Sequence, residues 1–252
     1  MAAIRDRSVV LRRHDYSETS QIVVLFTREH GKVRVIAKGI KRSTKTRCAV
    51  GIDLLEVGVA VFSGGRETSS GLASLTEWKQ TLGLGGLRER IGRIHAGQYA
   101  VDVTAGLTED WDPHESIFGA LVELLTRLVD ATDVITPLYF FQRALLVGIG
   151  LMPELHRCVK CGKATSLTHF SSFEGGMLCK TCAPAQREKR AVTPITRRLL
   201  ADNRGPGEAC GGDDGGQQSD YLGPFRALNY HLAHLMGKEP ALARCILSVK
   251  RK

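Results

Sequence analysis

The sequence predicts an α+β protein, with an N-terminal five-stranded OB-fold barrel followed by an all-helical domain that carries a four-cysteine zinc-binding insert. Three observations lead there. Five short Val- and Ile-rich runs fill the first eighty residues, apolar residues recur at helical spacing from about residue 87, and two Cys-x-x-Cys pairs come later. The expected domains are 1–80 and 84–252, with the insert at 156–183 and a flexible loop at 204–218.

The strand runs are Ser8–Arg13, Ser20–Thr27, Lys32–Lys38, Ile52–Phe62 and Leu72–Trp78. Asp15–Glu18, Glu29–Gly31 and Ser63–Arg66 supply the turns between them. Five short strands in this length suit a small closed barrel, with an SH3-like barrel as the competitor to an OB-fold. The curved face of an OB-fold commonly holds nucleic acid.

Helical spacing begins in Leu87–Gly106, with Leu87, Ile91, Ile94 and Tyr99, and continues in Glu115–Val129 through Ile117, Phe118, Leu121, Leu125 and Leu128. Asp112 is placed to cap the second helix, with Pro113 tolerated at its first position. Pro137–Ile149 is apolar nearly all round, which predicts a buried central helix ended by Gly150 and Pro153. Further helices are expected over Ser219–Met236 and Pro240–Ser248, with Tyr221, Phe225, Leu228, Leu232 and Leu235 packing inward. Between them and the centre, Arg204–Gln218 is glycine-rich, and it lacks the Gly-Lys-Ser/Thr ending of a phosphate loop.

Charge is unevenly distributed. The net charge is +9, yet residues 1–50 carry twelve Lys and Arg against four Asp and Glu, whereas 101–150 carry two against eight. A basic N-terminal segment points to a polyanion as partner, the alternative being a solvated face. Arg34, Lys38, Lys41, Arg42, Lys45 and Arg47 fall on the third strand and the loop after it. There, Arg34, Ile36 and Lys38 share one face while Val33, Val35 and Ala37 point inward. If four to six cations neutralise phosphates, affinity for single strands should fall with salt at a log–log slope of about −3 to −4. Tyr16 and Phe26 are the only aromatic residues before Phe62, so backbone charge is expected to outweigh base stacking.

No window reaches the length of a membrane-spanning helix, and Met1–Val10 has no apolar signal core. The chain is therefore expected to stay where it is made, with the cytoplasm as the default compartment. Cys158-Val-Lys-Cys161 and Cys179-Lys-Thr-Cys182 are separated by seventeen residues, a spacing that delivers four thiolates to one tetrahedral structural Zn2+. Disulfides and redox-active pairs are the weaker readings, and His156 and His169 are flanking candidates that four cysteines make unnecessary. Cys48, Cys210 and Cys245 read as ordinary thiols. No catalytic constellation emerges, so the expectation is a protein that is not an enzyme. Asp110 and Asp112 around Trp111 support only a weak metal-dependent nuclease reading. A zinc-ribbon RNA-binding or translation-associated module is the other alternative.

Val10–Ser20 followed by Leu25–Lys32 and Ala37–Arg42, then Phe141–Gly162, then Phe173–Cys182, together resemble, in order and spacing, the RecO family of bacterial recombination mediators. The resemblance implies an OB-fold, a helical domain and a zinc-binding insert. It also implies binding of single- and double-stranded DNA and annealing of complementary strands. The implied partners are RecR, sometimes RecF, the RecA recombinase, and the acidic C-terminal tail of single-strand-binding protein. The implied setting is DNA repair at the bacterial nucleoid.

Overall fold

The computed structural model describes residues 3–41, 51–65, 71–202 and 220–248. The chain divides into two compact units, Met1–Ala131 and Thr132–Lys252.

In the first unit β1 (Ile4–Asp15), β2 (Gln21–Thr27), β3 (Gly31–Ala37), β4 (Val57–Gly64) and β5 (Ala73–Gln80) close into a barrel of order β1-β2-β3-β5-β4. Period-two alternation builds its interior. Val10, Val23, Leu25, Val33, Val35, Ala60 and Phe62 are fully buried, which removes their apolar surface from water and drives the closure. β1 pairs with both β2 and β4, with a bulge between Val10 and Arg12. The parallel junction of β3 with β5 rests on Val35 opposite Ala73 and Ile36 opposite Ser74.

The fourth strand is shorter than its apolar run. Leu55 adopts a left-handed conformation, φ 67°, so the chain turns inside Ile52–Glu56 and becomes extended only at Val57. Ile52 is still buried, with its N–H donated to Gln21 Oε1 at 2.9 Å.

α1 (Ile91–Leu107) and α2 (Glu115–Leu128) complete this unit, and Phe118 of α2 meets Phe26 of the barrel at 6.3 Å between ring centroids. Asp112 does not cap α2. The helix starts beyond Pro113, after His114, with no side-chain cap, and the Asp112 carboxylate lies 3.0 Å from His114 Nε2. The main chain before it is engaged elsewhere, since Trp111 N–H donates to Lys32 O at 2.9 Å along β3. Arg93 is buried within α1 and donates to Ala131 O and Gly86 O, each at 2.9 Å, and to Val129 O. A cation there satisfies carbonyls at the negative end of α2.

In the second unit α3 (Ile135–Gly148) opens on Asp133, whose carboxylate accepts from Ile135 N at 2.8 Å and Thr136 N at 3.3 Å. It closes at Gly150, φ 72°, where Gly150 N donates to Val147 O and Leu151 N to Leu146 O, the paired bonds of a Schellman motif. Its burial is one-sided: Leu138, Tyr139, Phe141, Leu145 and Leu146 are buried, but Val147 is 62% exposed.

β6 (Leu167–Ser171), β7 (Gly176–Cys179) and β8 (Arg190–Ala191) then form a small sheet of order β7-β6-β8, followed by α4 (Pro194–Leu200), α5 (Leu222–Met236) and α6 (Ala243–Ser248). The sheet and α4 are additions to the helical reading. Thr193 caps α4 by accepting from Thr196 N, and Pro194 starts it. Phe225, Leu228 and Leu232 of α5 are fully buried, as their spacing requires. The expected loop 204–218 lies outside the described residues. No helix among the described residues is long and apolar enough to cross a membrane.

Candidate nucleic-acid interface and metal centre

The outer face of β1, β2 and β3 carries the cations. Val24 lies between Arg12 and Arg34 in register, and Ile22 lies between His14 and Ile36, so these residues form two outward rows. Val33, Val35 and Ala37 face the interior while Arg34 and Lys38 are exposed. Arg42, Lys45 and Arg47 lie outside the described residues.

These cations are not all equally available. Arg34 Nη2 lies 3.1 Å from Asp110 Oδ2, and Arg12 Nη2 lies 3.3 Å from Asp102 on α1. Lys41 Nζ is 2.6 Å from Asp15, and this ammonium, with the Gln21 amide, holds the Asp15 carboxyl below the usual carboxylate range. Lys32 has another duty. Its ammonium donates to Ala105 O at 2.9 Å and Thr108 O at 2.5 Å, closing the C-terminal end of α1, and reaches Asp110 at 3.5 Å. Sequence reasoning missed Arg12, Asp102 and Asp110 as neighbours of this face, for which the acidic block after residue 100 was the available signal.

Arg12, Val24, Lys32, Arg34, Ala105 and Asp110 line a cleft of about 240 Å³. Of the two early aromatic residues, Phe26 is buried and Tyr16 is 65% exposed beyond the end of β1. Of these two, Tyr16 is the one exposed to meet a base. Asp110 and Asp112, the weak nuclease pair, are each engaged by neighbours, Asp110 by Lys32 and Arg34 and Asp112 by His114.

In the second unit the four cysteines converge. Their Sγ atoms all lie within 4.8 Å of one another. Cys161 and Cys179 are 3.7 Å apart, close to the ~3.8 Å that Zn–S bonds of ~2.3 Å give in a tetrahedron. Two tight turns achieve this. Gly162 N donates to Cys158 O at 2.8 Å in the first knuckle, and Cys182 N to Cys179 O at 3.1 Å in the second, just past β7.

Burial would raise the Cys158 thiol, but N–H donors from Cys179, Cys161 and Lys160 outweigh it and lower it to about 6. The neighbouring Cys179 and Cys161 sulfurs push Cys182 up to about 12. Four sulfurs this close cannot all ionise without a shared cation, which is the chemistry a soft divalent metal supplies. His156 and His169 do not belong to the cluster, and His169 Nδ1 instead lies 2.9 Å from Thr168 Oγ1.

The segment around the cysteine cluster is tied to α5. Glu188 accepts from Ser171 Oγ at 2.5 Å, from Phe173 N at 3.0 Å and from the Tyr230 hydroxyl. His231 bridges Ser172 Oγ at 2.7 Å and Leu151 O at 3.1 Å.

Comparison with known proteins agrees with this arrangement. Residues 1–81 match the family described as Recombination protein O N terminal, and residues 88–206 match Recombination protein O C terminal. A DNA repair protein RecO of Bacillus pumilus is 32% identical over 197 residues, covering 78% of this chain and 75% of that protein. Its counterpart in Bacillus subtilis is 32% identical, covering 76% and 73%, and that of Anaeromyxobacter sp. is 35% identical, covering 73% and 72%.

Proposed function

Because the chain belongs to the RecO family of DNA repair proteins, we propose that it is a recombination mediator that binds single- and double-stranded DNA and anneals complementary strands. In the same reading it helps place the RecA recombinase on DNA covered by single-strand-binding protein. RecR, the acidic tail of single-strand-binding protein and sometimes RecF are its partners, and it acts at the bacterial nucleoid. It makes and breaks no covalent bond.

The observation that carries this reading is the exposed cationic row on a closed five-stranded barrel, with Arg34 projecting from β3 and Lys38 exposed just past its end. Barrel residues 1–80 are the nucleic-acid-binding domain, with Arg34, Lys38, Lys41, Arg42, Lys45 and Arg47 as its phosphate contacts. Two complementary strands repel through their phosphates. A cationic surface that holds both loosely lowers that repulsion and leaves base edges free to pair. The helical domain, 84–252, carries the metal insert, where Cys158, Cys161, Cys179 and Cys182 hold one structural Zn2+. A closed set of four thiolates leaves no position for water, so the ion fixes the shape of the insert.

The test is strand annealing on DNA coated with single-strand-binding protein, with and without that protein's acidic tail. Annealing that depends on the tail is expected. Annealing indifferent to it would remove the mediator reading.

A further inference from the structure

The acidic stretch after residue 100 wraps the same barrel face that carries the cations. Asp102 meets Arg12, Asp110 meets Arg34 and Lys32, and Glu115 accepts from Arg28 Nε at 2.7 Å. Three carboxylates from one segment thus pair with four cations of the barrel half of the same unit.

Asp110 is held in place by more than its own side chain. Lys32 and Asp110 form a parallel bridge, with Trp111 N–H on Lys32 O, so the acidic turn continues the β3 edge. Trp111, at φ 62°, packs its ring 6.2 Å from Phe62. Gly31 permits the approach: at φ 70°, a Cβ there would lie 2.1 Å from Asp112 O. Main chain, indole and glycine together fix this turn against the barrel.

The consequence lies in the cleft between Arg12 and Arg34. The Asp110 carboxylate occupies the Arg34 guanidinium, as a phosphodiester oxygen would, and both are partly exposed, at 39% and 51%. Lys32 is already committed to the end of α1, so Arg34 is the cation on which carboxylate and phosphate compete. We propose that Asp110 is a built-in competitor for nucleic-acid phosphate, seated on Arg34 in the free protein and displaced when a strand enters the Arg12–Arg34 cleft. The device makes the grip weaker and more reversible than the charge of the barrel alone would give. It deepens, and rests on, the proposed DNA-binding role.

The test is fluorescence anisotropy of oligo-dT with the full chain across a salt series. Asp110→Asn keeps the shape and removes the charge, and Asp110→Ser is a second variant in case the first folds poorly. Both are expected to tighten binding about two- to five-fold, the range of an exposed ion pair, and to steepen the log–log salt slope by about 0.7 as one more phosphate is held.

In an Arg34→Gln background the gain should vanish. Glu109→Gln removes the same charge one residue away and should give a much smaller gain. Equal gains from Glu109→Gln, a gain that survives Arg34→Gln, or no gain in either Asp110 variant would each overturn the proposal. A wild-type chain that fails to shift oligo-dT in dilute buffer would instead overturn the DNA-binding reading beneath it.

Discussion

At the residue scale, two buried polar side chains matter more than their number suggests. Arg93, 6% exposed, donates to Val129 O and Ala131 O just past the end of α2 and to Gly86 O ahead of α1. Arg93→Met is expected to destabilise the protein by about 2 kcal/mol, read as a lower denaturant midpoint with unchanged slope, because three charge-assisted hydrogen bonds to part-buried carbonyls are lost. His231 acts through pH. Burial lowers its imidazole below the ordinary 6.5, so the fold favours the neutral ring, which accepts from Ser172 and donates to Leu151 O. That contribution is complete above 6.5 and is lost as pH falls through the depressed folded-state value. Denaturant midpoints should drop between about pH 7.5 and pH 5, and His231→Gln should flatten the drop.

At the element scale, the cysteine knuckles are the clearest case. The two tight turns bring the sulfurs together beside β7, and the buried Phe170, Met177 and Leu178 of β6 and β7 pack the sheet behind them. Cys158→Ser is expected to reduce retained metal from about one ion per chain to none, and to expose residues 153–190 to protease while the barrel resists. Metal analysis after dialysis, with mass mapping of the fragments, checks both parts.

The knuckles and the barrel strands were legible because each has a local signature, the Cys spacing in one and Val33-Arg34-Val35-Ile36-Ala37 alternation in the other. β6 and β7 were not. Leu167–Ser171 is five residues long and Gly176–Cys179 only four, and such runs declare themselves only when a partner strand lies beside them. α4 was marked by Thr193-Pro194, but seven residues are too few for a periodicity to show. The cap assigned to Asp112 failed for a related reason, since its turn is set by a bridge to Lys32, far away in sequence.

At the scale of the whole molecule, charge decides behaviour. The sequence shows a basic start and an acidic middle, and only the fold shows the two laid against each other. If Lys38 contacts a phosphate, Lys38→Ala should weaken binding evenly across DNA sequences and reduce the salt slope by about 0.7. Lys41→Ala should do less, because Asp15 already neutralises that ammonium. Anisotropy with two oligonucleotides of different sequence, each over a salt series, separates these outcomes. The barrel that carries these residues is closed with unequal strength around its circumference. β1 and β2 share a long register, whereas β3 and β5 meet through two residue pairs. The thinner junction is where the cylinder should breathe first, and it opens one side of β3, the strand proposed to carry a phosphate contact, while β2 holds the other side along its whole length.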